Sequence, residues 1–477
     1  MAMYPQLYLY IDGQFLDGVG RESEPVINPA TGQTLTLLPH ATPGDLDQAL
    51  AAAARGFSAW KRWNAYDRAK LMAKAADLIR ERIDAIARTM TLEQGKVLAE
   101  ARAEILHAAD LFDWYGQEGR RTYGRVVPGR DLSVRQTVLM EPVGPVAAFT
   151  PWNFPALTPA RKLAGALGAG CSIVLKAAEE TPGTALALIQ ALHDAGLPPG
   201  VANLVFGAPA EVSARLIGDP VIKKITFTGS TPVGKHLLRL AADGAKRATM
   251  ELGGNAPVLV FADADLEAAV ATCVAGKYRN AGQVCVSPSR FFVQESVYDR
   301  FVEGFVKGAQ AAIVGDGLEP STTMGPLANA RRLEAMDRVV ADALARGGKV
   351  RTGGARIGNT GYFFQPTVVT DMGDAALLLC DETFGPVAPI TSFKTFDEVI
   401  ARANAVPQGL AGYAFTRDTR TAADLADALQ TGMLGINTFA VSTPETPFGG
   451  VKESGYGREG GLEGLQAYLH EKLVVQA

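Results

Sequence analysis

The runs VAAF (146–149), SIVLK (172–176), VANLVF (201–206), KITFTG (224–229) and ATMEL (248–252) alternate with helical stretches of about 10–15 residues. Alternation of that kind predicts an α/β fold built on a parallel, doubly wound sheet. Upstream, two extended segments near 121–127 and 132–140, joined by Pro128, Gly129 and Arg130, read as a hairpin. Three amphipathic helices precede it. One covers 46–60 behind Asp45 as its cap, one starts at Asp67, and one spans about 98–117. Downstream of Gly254 a second series begins with APVLVF, a helix over 265–280, the strand RFFV and a helix over 297–312. Further β/α units continue to about residue 437, so the sequence predicts two α/β domains, and the terminal EKLVVQA reads as one more strand.

Composition narrows the function. Of 477 residues, 47% are hydrophobic and 20% charged, and 46 Lys and Arg against 50 Asp and Glu leave a formal charge of −4. No dense basic patch is visible, so nucleic acid is not an expected partner. The longest charge-free stretch, 142–160, carries five prolines and cannot be a membrane helix. The amino terminus has no basic region before an apolar run, so export is not expected and a cytoplasmic location is. Four scattered cysteines, at 171, 273, 285 and 380, suggest neither disulfides nor zinc, and no metal is expected. The five histidines are isolated, which directs attention to Cys, Glu, Lys and Asn.

Four segments place unusual residues where a strand gives way to a loop or helix, the crevice in which open α/β sheets bind ligands. In FTPWNFP (149–155), Asn153 is an oxyanion donor or a turn residue. In KITFTGSTPVGK (224–235), Gly229, Ser230 and Gly234 open a helix whose free N–H groups suit a diphosphate, although routine helix starts look the same. In ATMELGG (248–254), Glu251 is a poised base or a solvated strand end. In NAGQVCVSPSR (280–290), Cys285 sits in a loop beside Gly282, Gln283 and Ser287, unlike the other three cysteines in their apolar runs, and is the candidate nucleophile.

Together, PWNFP, the strand ending at Lys176, GSTPVG, MELGG, GQVC, DETFGPV (381–387) and PFGGVKESGYGREGG (447–461) resemble, in order and across the chain, the NAD(P)-dependent aldehyde dehydrogenase superfamily. The likeness is nearest to the branch oxidising succinate and α-ketoglutaric semialdehydes. It implies a Rossmann-like cofactor domain (1–120 and 141–252), a catalytic domain (253–445) and an oligomerisation element (121–140 and 462–477). It implies that Cys285 attacks the aldehyde, that Asn153 holds the oxyanion, and that Glu251 activates the hydrolytic water. Trp152, Lys176, Glu179, Gly229, Ser230, Gly234, Leu252, Glu382 and Phe384 become cofactor contacts. A carboxylate at Glu179 would repel a 2′-phosphate, so NAD is favoured and NADP remains possible. One departure is KAAE (176–179), where the family often has KP.

Substrate class rests on Arg161, eight residues after Asn153, and Arg279, six before Cys285. Both match arginines gripping a distal carboxylate in the semialdehyde branch. Leu157 and Thr158 are expected to line the same tunnel, and Ser442 and Thr443 to share the carboxylate. A helix-surface arginine or an interdomain salt bridge is the other reading of Arg161. The competing functions are an enzyme for neutral aliphatic or aromatic aldehydes, a CoA-acylating dehydrogenase, and a catalytically silent protein of the same fold. The hairpin and terminal strand imply a homodimer or tetramer.

Overall fold

The computed structural model describes residues 4–477, so the first three residues of the 1–120 segment lie outside the described residues. The five expected runs form parallel strands in the spatial order Ala202–Val205, Ile173–Lys176, Val146–Phe149, Lys224–Thr228 and Arg247–Glu251. The first of them in the chain lies in the middle. The next two add on one side and the last two on the other, so the winding reverses between Val146–Phe149 and Lys224–Thr228, at whose carboxyl ends a crevice opens. Antiparallel Leu9–Ile11 and Gln14–Leu16 extend one edge and Gly455–Tyr456 the other. Every residue of Val146–Phe149 and Lys224–Thr228 is buried, which is why these strands read as continuous apolar runs.

The second sheet has seven strands, in the order Lys349–Thr352, Thr367–Thr370, Val387–Phe393, Pro288–Gln294, Ala256–Val260, Ala411–Phe415 and Met433–Ile436. All neighbours are parallel except the first pair. Its helices Leu266–Tyr278 and Tyr298–Ala311 lie close to the expected spans.

The amino-terminal helices are Pro43–Trp60, Ala65–Glu81, Ile83–Gln94 and Leu98–Glu118. Thr42, not Asp45, caps the first; Asp45 is its third residue and closes a reciprocal capping box with Thr42. Ile83–Gln94 is absent from the sequence reading because its buried face includes the polar Thr91, Glu93 and Gln94.

Arg125–Val127, Arg135–Pro142 and Leu469–Gln476 form a three-stranded antiparallel sheet. The terminal strand is therefore paired along one edge within its own chain, from Leu469 opposite Pro142 to Gln476 opposite Arg135, and among the described residues its other edge is free. Leu473 and Val475 on this sheet are 60% and 57% exposed. Just before it, helix Gly461–Gln466 and Tyr468 pack into the core of the first domain, where a Cβ on Gly165 would meet the Tyr468 ring at 2.7 Å. Among the described residues no helix is long and apolar enough to cross a membrane.

Candidate active site

A cavity of about 380 Å³ opens at the reversal point, and Asn153, Glu251 and Cys285 all line it. The Cys285 loop follows a sharp break at the end of helix Leu266–Tyr278. Asn280 and Ala281 take left-handed conformations, φ 48° and 53°, and Gly282 follows at 72°. Two successive non-glycine residues there are strained and need surrounding bonds to hold them. Asn280 N–H donates to Glu100 Oε2 (2.9 Å), and its amide donates to Asn153 O (3.1 Å) and Gln283 O (3.2 Å) while accepting from Gln94 Nε2 (2.9 Å). At Gly282 a Cβ would meet Gly385 O at 2.2 Å, so only glycine fits. Cys285 is half-buried. Burial first, then the Glu382 and Glu251 carboxylates, push its thiol up to about 12, against the Arg161 charge.

Asn153 is 4% exposed and donates from Nδ2 to Gln283 O (3.1 Å). Its own carbonyl accepts from Lys96 Nζ (3.0 Å), and Lys96 forms a fully buried ion pair with Glu104. The other Glu104 oxygen accepts from the Ala156 and Leu157 N–H groups (2.8 and 3.0 Å), capping helix Leu157–Ala169, whose N-cap residue, Ala156, makes no side-chain cap bond. Removing either partner of this pair would leave a buried charge, a loss of about 3–5 kcal/mol. Nothing in the sequence pattern marks Lys96 or Glu104 for this work.

Glu251 ends its strand 3% exposed, with neither carboxylate oxygen hydrogen-bonded. It is not a solvated strand end. Burial, then the neighbouring Glu459 carboxylate, hold its pKa well above the usual range, opposed by Lys162, Arg161 and Arg458. Gly449 permits the approach, since a Cβ there would lie 2.8 Å from Glu251 Oε1. Lys162 in turn pairs with Glu459 and donates to Thr228 Oγ1 (2.7 Å). Both escaped the sequence reading, although a lysine inside the apolar run of helix Leu157–Ala169 is a signal that could have been used.

Of the residues expected to contact a cofactor, Trp152, Gly229, Ser230, Leu252, Glu382 and Phe384 all line the same cavity. Phe384 has φ 48° and meets Trp152 edge-on at 5.6 Å; Arg332 Nη2 fixes the turn by donating to Thr383 O (2.6 Å) and Phe384 O (3.0 Å). Glu382 accepts from Gly254 N–H (3.1 Å), and burial raises its pKa to about 7. Ser230 precedes helix Thr231–Ala242 without making a side-chain cap bond, beside a cleft of about 510 Å³ that Lys235 and Arg239 also line. Gly234 lines neither space; a Cβ there would strike Leu252 Cδ2 at 2.3 Å, so its glycine serves helix-to-strand packing. Lys176 and Glu179 form an ion pair, and Glu179 faces a further cleft of about 440 Å³ that shares Asn329 and Arg331 with the central cavity. A helix start with uncapped N–H groups, a carboxylate for ribose hydroxyls and a glycine-cleared carboxylate at Glu382 fit an extended dinucleotide.

Arg161 is 3% exposed and lies over the Phe448 ring at 4.2 Å, donating to Ser442 Oγ (2.7 Å). Its Nη1 is buried without a partner, and among the described residues it has no carboxylate within ion-pair distance. It is neither a surface arginine nor a salt-bridge partner. Thr158 lines the Cys285 cavity, whereas Leu157 and Arg279 line a neighbouring one of about 290 Å³. Arg279 is exposed, 5.3 Å from the Phe154 ring. Thr443 departs from expectation: it is exposed and bonded to Thr446 within its own loop, because that turn satisfies its hydroxyl locally. Cys380, expected to be buried, is also exposed, while Cys171 and Cys273 are buried. Among the described residues no group of three or more His, Cys, Asp or Glu side chains could hold a metal ion.

A thiol and an unpaired carboxylate sharing a cavity with a dinucleotide cleft, at the reversal point of a doubly wound sheet, define the class of nicotinamide-dependent dehydrogenases that work through a covalent cysteine adduct. The chain belongs to the aldehyde dehydrogenase family, whose model matches residues 15–474. It is 47% identical over 466 residues to 4-(hydroxymethyl)benzenesulfonate dehydrogenase TsaD1 of Comamonas testosteroni, covering 98% of this chain and 97% of that one. It is 43% identical over 464 residues to the NADP-dependent succinate-semialdehyde dehydrogenase GabD of Escherichia coli, covering 97% and 96%. Among solved structures, succinate-semialdehyde dehydrogenase from Burkholderia pseudomallei superposes with a TM-score of 0.98 at 41% identity, covering 100% of both chains. The α/β fold and the family expected from the motifs are those found.

Proposed function

We propose that this enzyme oxidises an aldehyde bearing a distal anion, such as succinate semialdehyde or 2,5-dioxopentanoate, to the carboxylic acid with NAD. The observation that carries the substrate reading is Arg161: buried, without a carboxylate partner, and stacked on a ring that lines the Cys285 cavity. A semialdehyde dehydrogenase and an enzyme named for a benzenesulfonate among the relatives support a distal anion over a neutral tail.

In this mechanism Cys285 Sγ adds to the aldehyde carbon, and the oxyanion of the thiohemiacetal is held by the Asn153 amide and the Cys285 N–H. Bound NAD supplies the chemistry of a hydride acceptor. Glu382 and Phe384 would hold its nicotinamide ribose and ring, Trp152, Gly229 and Ser230 the adenosine and diphosphate, and Lys176 with Glu179 the adenosine ribose, while Gly234 and Leu252 keep the helix close. The Glu179 carboxylate favours NAD, as a 2′-phosphate there would meet a like charge. Glu251 then takes a proton from the water that hydrolyses the thioester. The cofactor domain is taken as 1–120 and 141–252, the catalytic domain as 253–445, and the assembly element as 121–140 and 462–477.

NADH formation over a panel of succinate semialdehyde, glutarate semialdehyde, 2,5-dioxopentanoate, 4-sulfobenzaldehyde, benzaldehyde and propanal tests the reading; no preference for the anionic members would sink it. Arg161→Leu should lower kcat/KM for those members about 10- to 150-fold, mostly through KM, and leave benzaldehyde and propanal level or faster. Lysine at 161 should rescue in part, lacking the planar fork. An equal loss on every substrate would make Arg161 structural, leaving a neutral-aldehyde enzyme as the reading.

A homodimer or tetramer is proposed on the free edge of Leu469–Gln476 and the exposed Leu473 and Val475 beside it, since an open apolar edge invites pairing with a second copy. Light scattering at micromolar concentration should give a dimer or tetramer mass; a monomer would overturn this.

A further inference from the structure

The cleft of about 440 Å³ that Glu179 faces is also lined by a second carboxylate, Glu180, and by Arg331. Glu180 precedes helix Pro182–Ala195, which packs in the core of the first sheet. Arg331 sits in the first turn of helix Ala330–Ala345, whose Leu333 and Met336 belong to the core of the second. Arg331 Nη2 donates to Glu180 Oε1 at 2.6 Å, so the pair bridges the parts of the chain that pack on the two sheets. Arg331 lines the Cys285 cavity as well, which makes it a neighbour of both spaces.

A 2′-phosphate carries close to two negative charges and needs uncommitted N–H donors to bind. This cleft offers few. Each basic side chain lining it already has a carboxylate partner, Arg331 in Glu180 and His40 in Glu24 at 2.9 Å, and Lys176 is paired with Glu179. Of these cations Arg331 is the most easily redirected. Its side chain is 77% exposed, and among the described residues the bond to Glu180 is the only one its guanidinium makes, whereas Lys176 is buried. Without Glu180 the guanidinium would still line the cleft that holds Glu179, free to turn to another anion.

We propose that Glu180 is a second determinant of cofactor choice: by holding Arg331 in an ion pair, it withholds from a 2′-phosphate a flexible cation that shares the cleft with Glu179. This rests on the reading that places the adenosine ribose at Glu179. It adds a positioning residue that acts through Arg331 and does not itself touch the cofactor. A ribose with a bare 2′-hydroxyl needs no cation and is indifferent to the pair.

The test is direct binding to the full chain: NAD and NADP by quenching of tryptophan fluorescence, AMP and adenosine 2′,5′-bisphosphate by calorimetry. Glu180→Gln, nearly isosteric, should tighten NADP and the bisphosphate about three- to tenfold while NAD and AMP move less than about twofold. Arg331→Gln alone should leave NADP affinity within about twofold of wild type, because the cation is already engaged. The same change in the Glu180→Gln protein should cancel the gain. Equal tightening of NAD and NADP, an unchanged NADP affinity, or a gain that survives the loss of Arg331 would overturn the proposal. If Glu180→Gln does not fold, Glu180→Ala takes its place in the same comparison, and NAD affinity reports an intact site. Glu179→Gln run alongside separates the two readings. A selective gain there without one at Glu180 rejects Glu180 alone, whereas a wild type that binds the bisphosphate as tightly as AMP rejects both.

Discussion

Cys285→Ala is expected to abolish aldehyde oxidation, a fall on the order of 10⁴-fold or more in kcat, while NAD binding persists. No other thiol can substitute: Cys171 and Cys273 are buried away from the cavity, and Cys380 is exposed, does not line the cavity and donates to Asp374 O at 3.3 Å. The hydroxyls that share the cavity, Thr158, Thr228 and Ser230, are far weaker nucleophiles than a thiolate, and Thr228 is already bonded to Lys162. Binding should survive because the proposed cofactor contacts at Lys176, Glu179, Gly229 and Ser230 all lie on the first sheet's side of the chain, outside the Cys285 loop, and quenching of tryptophan fluorescence by NAD would report it. Substantial turnover by the variant would remove Cys285 from the mechanism. The same thiol carries a pH signature. With its pKa near 12, the thiolate fraction rises about tenfold per pH unit on the acid side, so alkylation of the cofactor-free enzyme by iodoacetamide should accelerate steadily from pH 7 to pH 10. A plateau near pH 8 would show that the free enzyme already ionises the thiol.

What the sequence showed, and what it hid, follows from the range of the interactions. Strands buried on both faces leave unbroken apolar runs, so the doubly wound sheet was readable from five short segments. Cys285 was readable because its neighbours Gly282, Gln283 and Ser287 are unlike those of a core cysteine. The supporting pairs were hidden. Lys162 reaches Glu459 across 297 residues and Lys96 reaches Asn153 across 57, and no local pattern encodes such contacts. Helix Ile83–Gln94 was missed because tertiary packing buries polar side chains on its inner face. Thr443, expected to share the substrate carboxylate, is instead exposed and bonded to Thr446 within its own turn, a local contact that the sequence pattern does not show.

Glu251→Gln should separate the two halves of the reaction. The amide nearly preserves the volume and keeps an acceptor, but it cannot take a proton, so the burst of NADH from the first turnover should persist while the steady state falls about 10²- to 10⁴-fold. The structure adds a pH test that chain position could not supply. Glu251 is buried beside Glu459, and both effects favour its protonated form, so its pKa lies well above that of a free carboxyl. A general base works only when deprotonated; hence kcat of the wild type should climb with pH through that raised pKa and level off above it, and the climb should vanish in the glutamine variant. Glu459→Gln removes the repelling carboxylate, so it should shift the rise to lower pH, and the Lys162 charge freed from its partner should shift it further in the same direction. Both effects have the same sign, which makes the direction of the shift a firm expectation. A burst lost along with the steady state would mean that Glu251 deprotonates the Cys285 thiol before acylation instead of serving the water alone, and a rise displaced to higher pH would overturn Glu459 as the group that raises the Glu251 pKa.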